Sequence, residues 1–555
     1  METIRREFFK SIGLGLAGLG LASPASLIAA QEVNVKVADE EKPVLYIGDN
    51  IAVANTTYGK VRGFIMRDIY TFLGIPYGAD TSGKNRFMPP QKPASWNDVY
   101  PATYWGMSAP QLQNNFYANR YLAFTDDWHY DEFGEDCLKL NVWTSKLDRA
   151  KRPVLFWMHG GGFRSGNAIE HPEYHGENLS RFGDVVFVSI NHRLGPLGFS
   201  NLAGVGGAKY EASGNVGMLD CVAALEWVRD NIANFGGDPG NVTIMGQSGG
   251  GSKVCTLMGM PPAKGLFHKA VALSGSSRRG QEKKASERLG ASILRHSGIS
   301  IEKLQEMPWK DYIALTSHAR RELREYTPAG TAAGSFGPVA DGKYLVQETF
   351  SLDAPGANIP LIISTTFYER SPSSFDSSLE NISKEQAKDQ LKTQRGFGTS
   401  VADNAAAVYD AYEKAFPDRK PIEIVSMAIS NRKRAIAVAD AKTKQTSNVY
   451  VDWFGWNPVT IFDGRLRAFH TLDISFWFYN TDRQLSHTGG GSRARKMAEK
   501  MAGALLAFMK TGTPNAKGLT VWPKYTTEKG ETMIFDDVPV VKNDPDRDAR
   551  KALPA

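Results

Sequence analysis

The sequence predicts an α/β fold with a mostly parallel, doubly wound central sheet and helical insertions above it. Three observations carry this. Several apolar runs of five to seven residues end in glycine-rich or polar turns, as buried parallel strands do. One strand–helix–strand segment can be read outright, and it implies a right-handed crossover. Two long stretches, 283–325 and 385–441, are helical in pattern and hold no strong strand run.

In chain order, the first element is not part of the fold. Residues 1–30, "METIRREFFKSIGLGLAGLGLASPASLIAA", open with Arg5-Arg6, continue through a modestly apolar glycine-rich run and end in small residues. That is the pattern of a twin-arginine export signal, so a periplasmic or secreted location is expected, with an uncleaved membrane anchor as the rival reading. The apolar run is too short and too rich in glycine for a good membrane span. "GLGLAG" inside it matches a dinucleotide fingerprint formally, but no strand precedes it and no βαβ unit surrounds it. Residues 31–555 read as one catalytic domain.

The strand candidates follow in order: "PVLFWM" (153–158), "DVVFVSI" (184–190), "NVTIM" (241–245), "KAVALS" (269–274) and "PLIIS" (360–364). Between the second and third lies "GMLDCVAALEWVRDNIANFGG". Its Met218, Val222, Leu225, Val228 and Ile232 recur every three or four residues, and Gly236 stands where a C-cap belongs. The two helical stretches read as insertions above the sheet.

Composition narrows the function. Of 555 residues, 42% are apolar and 22% charged, which is ordinary for a globular enzyme. The formal net charge of +6 is dispersed, with no basic run beyond pieces such as "SNRKRA", so nothing points to nucleic acid. The three cysteines, Cys137, Cys221 and Cys255, are far apart and show no metal-knuckle spacing. No metal or organic cofactor is implied.

The chemistry concentrates at "TIMGQSGGGSKV" (243–254). Ser248 falls between the strand "NVTIM" and a segment able to start a helix. A side chain presented at such a junction needs a strained backbone and small neighbours two residues away, which Gly246 and Gly250 supply as G-x-S-x-G. The helix then aims free N–H groups and its positive end at the reacting atoms.

Serine needs a base, normally histidine, oriented by a carboxylate, and with this turn the chain order is nucleophile, acid, histidine. Five histidines follow Ser248: His268, His296, His318, His470 and His487. An acid beyond "PLIIS" removes the first three. His470, in "RLRAFHTLDISFWF", precedes an aromatic, strand-like run, whereas His487 in "SHTGGGS" reads as a solvated loop tip. Glu369 sits just past "PLIIS", at the sheet edge where ligands bind. Asp341 and Asp376 compete with it, and spacing does not separate them. After "PVLFWM" comes "HGGGF" (159–163), whose consecutive glycines let backbone N–H groups approach a substrate closely and stabilise an oxyanion.

Taken together, the chain resembles the type B carboxylesterase, or cholinesterase-like, family. The matching segments include "FLGIPYG", "RFMPPQ", "EDCLKLNVW", "MHGGGF", "INHRLGPLGF", "ALEWVRDNIANFGGDPGNVTIMGQSGG", "KGLFHKAVALSGS" and "TGTPN". The resemblance implies an α/β-hydrolase fold, with Ser248 as nucleophile, Glu369 as triad acid and His470 as base. It also implies that Gly161, Gly162 and Gly249 supply the oxyanion N–H groups, with His159 bracing their loop.

The departures matter. The usual GESAG turn has Gln247 and Gly249 here, and losing that glutamate weakens a case for quaternary ammonium substrates. The family cysteine that would pair with Cys137 is Ala109, so the loop with Phe116, Tyr117 and Tyr121 reads as unstapled. The acid's usual DEG context is Tyr368-Glu369-Arg370, and the histidine's HG is His470-Thr471.

The expectation is an exported serine esterase acting on a small-molecule ester, with no nucleic acid partner and no stable membrane association once the signal is removed. Nothing in the sequence bears on oligomeric state. Hydrolysis of carbamates or amides, acyl transfer on the same triad, or a silent binding module are the rival expectations. Phe163, Gln247, Phe367 and Phe476 are the candidate substrate-binding residues, with Trp157 and Trp477 as further aromatics that serve equally well as core. Arg370 reads either as a surface charge or as a site-mouth residue favouring acidic substrates.

Overall fold

Apolar runs that satisfy their backbone only through neighbouring strands build this fold. A computed structural model describes residues 42–112, 124–125, 132–328, 331–394 and 400–554. The unit described below runs from Val44 onward. The export-signal segment 1–30, and Phe116, Tyr117 and Tyr121, lie outside the described residues.

The large sheet contains β1 (Leu45–Tyr46), β2 (Phe64–Met66), β3 (Ile69–Pro76), β4 (Lys139–Thr144), β5 (Arg152–Met158) and β6 (Val186–Ile190). It continues with β7 (Gly237–Gln247), β8 (Lys269–Leu273), β9 (Leu361–Thr366), β10 (Val449–Phe454), β11 (Glu531–Phe535) and β12 (Val540–Asn543). Their order is β1-β2-β3-β4-β6-β5-β7-β8-β9-β10-β11-β12. From β6 to β11 every neighbouring pair is parallel, and antiparallel strands flank both sides. All five strands expected from sequence are present. β7 starts earlier than its apolar run, at Gly237.

Each central strand is buried on both faces. Val154, Phe156 and Met158 of β5 enter one hydrophobic cluster, while Leu155 and Trp157 enter the other. Helix α1 (Val216–Asn231) covers the first face with Met218, Val222, Leu225 and Val228, and Gly236 closes the turn after it at φ 80°. Helix α2 (Gly249–Met258) follows β7 directly.

The stretch 283–325 forms α3 (Lys283–Ser297), α4 (Ile301–Glu306) and α5 (Trp309–Tyr326). These pack on a small core of their own, with Leu289, Ile293, Leu304 and Tyr312 around Phe87. The stretch 385–441 forms α6 (Lys384–Thr393), α7 (Ala405–Ala415), α8 (Pro421–Ala428) and α9 (Arg432–Thr443). One expectation fails. The aromatic run after His470 is not a strand but α10 (Leu472–Trp477), with every residue buried. A segment apolar on all sides carries no periodicity that would distinguish the two.

Candidate active site

Ser248 stands at the junction of β7 and α2 with φ 57° and ψ −118°, outside the basins a serine normally occupies. Such a conformation costs about 1–3 kcal/mol and survives only where its surroundings impose it. Here its N–H donates to Leu273 O of β8 at 2.8 Å, while its carbonyl accepts from Ser252 N at 3.1 Å. A Cβ on Gly246 would lie 2.4 Å from the Gly250 carbonyl carbon, and one on Gly250 would lie 2.1 Å from Met158 O. The G-x-S-x-G pattern is therefore a packing requirement of this turn.

Glu369 follows β9, and its buried carboxyl accepts from Thr366 N at 3.3 Å. His470 Nδ1 lies 2.5 Å from Glu369 Oε2. A carboxylate only accepts, so the tautomer that fits this contact has its proton on Nδ1 and its lone pair on Nε2. The two loops are stitched together: Tyr368 N donates to Ala468 O at 3.1 Å, and Ser371 Oγ to Leu466 O at 2.8 Å. Gln247, the residue before Ser248, donates from Nε2 to His470 O. This glutamine joins the serine turn to the histidine loop.

The rivals sit elsewhere. Asp341 accepts from Asn215 Nδ2 at 2.9 Å and from backbone N–H groups of its own turn. Asp376 caps a short 3-10 helix through Ser378 N. His487 is a correction: it is fully buried, not solvated, with Nε2 at 2.6 Å from Thr125 O and Nδ1 at 3.3 Å from Glu173 Oε2. Its glycine-rich neighbours allow a turn, and the side chain folds inward.

The glycine loop leaves β5 at Met158. Gly161 and Gly162 have φ of 78° and 67°, and Gly162 presses on the serine turn. A Cβ on Gly249 would lie 2.2 Å from Gly162 O and 2.3 Å from its N and Cα. Sequence reasoning did not find the group beneath this loop. Lys253 of α2 is fully buried, and its Nζ donates to His159 O at 2.9 Å and Gly160 O at 3.5 Å. Burial lowers the Lys253 pKa to about 8, against the raising influence of Cys221 and Glu170. His159 stacks on His192 with ring centroids 5.2 Å apart. Burial first, and Lys253 second, push both rings well below the usual histidine range, so both are neutral. A lysine inside an otherwise apolar helix was the available signal.

Ser248, His470 and Gly160–Gly162 line one cavity of about 960 Å³. Helix α5 closes it with one stripe: Ile313, Thr316, Ser317, Arg320, Arg321 and Arg324, the i, i+3, i+4 pattern of a single helix face. Arg164, just past the glycine loop, lines it too. These arginines were also missed. The segment was read as helical, but no local signal tells which face meets the site.

Of the expected substrate-binding residues, Gln247 lines this cavity and three do not. Phe163 is half-buried against Phe199, with centroids 5.5 Å apart. Phe367 packs on Trp453 at 4.2 Å beside a separate cavity with Phe416 and Arg419. Phe476 is fully buried between Phe454 and Trp456, and Trp157 and Trp477 are core residues. Burying a large aromatic is as favourable behind the sheet as in a pocket, so residue type did not choose between them. Arg370 lines a neighbouring cavity of about 610 Å³ with Glu369, His470 and Phe375. All three cysteines are buried and free, and burial holds the Cys137, Cys221 and Cys255 thiols up in their neutral form.

The chain is similar to known esterases over most of its length. The family model described as "Carboxylesterase family" matches residues 50–551. The para-nitrobenzyl esterase of Bacillus subtilis (strain 168) is 33% identical over 512 residues, covering 90% of this chain and 98% of that protein. The phenmedipham hydrolase of Pseudarthrobacter oxydans is 32% identical over 497 residues, covering 87% and 95% respectively. Among solved structures, an esterase from Clostridium hathewayi, described as able to hydrolyse aliphatic aromatic polyesters, superimposes with a TM-score of 0.78. It shares 32% identity and covers 92% of this chain and 98% of its own.

Proposed function

The chain belongs to the carboxylesterase family and is a carboxylic ester hydrolase, and from that premise we propose that it works through an acyl-enzyme on Ser248, His470 and Glu369. The observation that carries this reading is one cavity holding a serine on a strained strand-to-helix turn and a histidine hydrogen-bonded through Nδ1 to a buried carboxyl. His470 Nε2 takes the hydroxyl proton as Ser248 Oγ bonds to the ester carbonyl carbon, and the carbonyl oxygen becomes an oxyanion. The N–H groups of Gly161, Gly162 and Gly249 receive that charge. The C–O bond to the alcohol then breaks, and the imidazolium returns its proton to the leaving oxygen. Water repeats the sequence on the acyl-enzyme, releasing acid and restoring the serine. Glu369 fixes the tautomer and stabilises the imidazolium.

Ser248→Ala is expected to lose on the order of 10⁴- to 10⁶-fold in kcat on a nitrophenyl ester while keeping its melting temperature. A fluorophosphonate should label the wild type at Ser248 and leave the variant unlabelled. Retained turnover in a labelled-elsewhere Ser248→Ala protein would refute the assignment.

We also propose that residues 1–30 direct twin-arginine export, on the strength of Arg5-Arg6 and the apolar run behind them. Replacing both arginines by lysine should strand the protein in the cytoplasm of a bacterial host. Unchanged periplasmic or secreted yield would overturn this.

A further inference from the structure

The cavity's charge is not explained by the hydrolytic machinery. Arg164, Arg320, Arg321 and Arg324 line it against two carboxylates, Glu170 and Glu325. Several buried arginines elsewhere are paired, Arg193 with Asp220 at 2.6 Å, Arg432 with Asp546 at 3.2 Å and Arg467 with Glu380 at 2.8 Å, whereas in the cavity Arg320 is half-buried and Arg164, Arg321 and Arg324 are exposed. None of the four cavity arginines has an ion pair or side-chain hydrogen bond within the described residues, where Arg86, Arg152 and Arg550 also find acids. Arg320 is half-buried and its Nε is out of contact with water and without a partner. Burial, then the like charges of Arg324 and Arg164, push its pKa down. An unsatisfied guanidinium donor in a cavity wall is costly, and an anion entering the cavity would relieve that cost.

Resting on the serine-esterase reading above, we propose that the substrates are esters bearing a carboxylate, held by Arg320 and Arg324 of α5 together with Arg164, while the ester carbonyl lies over Ser248. A planar guanidinium fork matches a carboxylate in two parallel hydrogen bonds, and two or three such forks around one cavity fix orientation as well as charge. The cavity is large enough for an acyl chain between the anion and the reacting carbonyl. Arg370, the sequence's candidate for this role, faces the neighbouring cavity beside Glu369. The Arg320, Arg321 and Arg324 side chains come from a helix outside the sheet, so substrate choice is set apart from the parts that carry out bond breaking.

The test compares two esters of similar length on the full enzyme: 4-nitrophenyl hemiglutarate, which carries a carboxylate, and neutral 4-nitrophenyl pentanoate. The wild type should favour the hemiglutarate in kcat/KM by about tenfold or more, and Arg320→Gln/Arg324→Gln should lower that ratio by about tenfold to a hundredfold. Arg320→Lys/Arg324→Lys should retain part of it, and Lys510→Gln/Lys517→Gln, the same charge loss outside the cavity, should leave the ratio alone. Raising salt toward 1 M, where the screening length falls to about 3 Å, should shrink the wild-type ratio several-fold. A wild type that prefers the neutral ester, or glutamine variants that scale both esters equally, would overturn the proposal while the esterase reading stands. Glutarate binding to Ser248→Ala, measured by calorimetry, needs no turnover. Binding that weakens in the double glutamine variant supports the carboxylate site in its own right even if neither ester is hydrolysed, an outcome that would count against the acyl-enzyme reading. No glutarate binding to a folded protein overturns it.

Discussion

The floor and the roof of this cavity are built by different means. The floor is backbone: the Ser248 turn, the glycine loop after β5 and the first turn of α2, interlocked so closely that an added Cβ at Gly249 or Gly250 would strike main-chain atoms at 2.1–2.3 Å. The roof is side chains: one stripe of α5, supported by a separate small core around Phe87 and Tyr312 and presenting exposed arginines. Backbone donors hardly reorganise when charge develops, which suits them to an oxyanion. Side chains on an inserted helix can change without disturbing those donors, which suits them to substrate choice. The difference teaches where mutations should act: floor changes should lower kcat for every ester alike, and roof changes should alter the ratio between esters.

Short of removing the serine itself, the largest expected effect is at Gly249. Alanine is the family's usual residue here, yet in this chain its Cβ would fall 2.2 Å from Gly162 O. Gly249→Ala should push the glycine loop off the serine turn and misplace its N–H groups. We expect kcat to fall by about 10²- to 10³-fold, equally for neutral and carboxylate-bearing esters, with a smaller change in KM. Stability should fall by about 1–3 kcal/mol through overpacking, seen as a lower melting temperature. A Gly249→Ala enzyme with unimpaired kcat, or one whose loss depended on the ester, would break the division between floor and roof.

How much of this was legible in the sequence follows the same division. The floor is written locally: strand, G-x-S-x-G and helix lie within a dozen residues, and "HGGGF" directly follows a strand, so Ser248 and Gly161–Gly162 could be singled out as candidates from order alone. The acid needed more. Spacing left Asp341 and Asp376 open and the family resemblance favoured Glu369, while in the structure the first holds Asn215 and the second caps a turn. The roof was legible as helix but not as surface, because which stripe of α5 meets the cavity depends on how Tyr312 and Ala319 dock, not on the stripe's own pattern. Phe367 and Phe476 failed for a related reason, since an aromatic in a wholly buried segment gives no sign of which side it fills. His487 failed because a glycine-rich neighbourhood describes backbone freedom and says nothing of side-chain burial.

Lys253 supplies the finer test, because it polarises the floor from below. The Gly160 carbonyl it approaches belongs to the same peptide unit as the Gly161 N–H, and a charged donor on the carbonyl strengthens that N–H as a donor in turn. The next unit is treated alike without a charge: Gly161 O accepts from Ser165 N at 3.2 Å and Ser165 Oγ at 3.3 Å. Removing the ammonium leaves buried carbonyls short of a donor, which costs about 1–3 kcal/mol. Lys253→Met should therefore lower kcat by about tenfold for all esters. The pH dependence fixes the cause. Burial brings Lys253 down to about 8 from an ordinary 10.5, so the ammonium is lost as pH rises past about 8 in the native enzyme. Wild-type kcat should fall along that limb, and Lys253→Met should be low and flat across it. Stability runs the other way. A depressed lysine pKa means that holding the charge costs the fold about 3 kcal/mol below pH 8, a cost relieved as pH climbs toward 10.5, because there the unfolded chain binds the proton and the native one does not. Over that window the melting temperature of the wild type should gain on that of Lys253→Met even as its kcat declines. If activity and relative stability instead fell together, general alkaline unfolding would be the cause, and Lys253 would be a packing residue with no part in the oxyanion's reception.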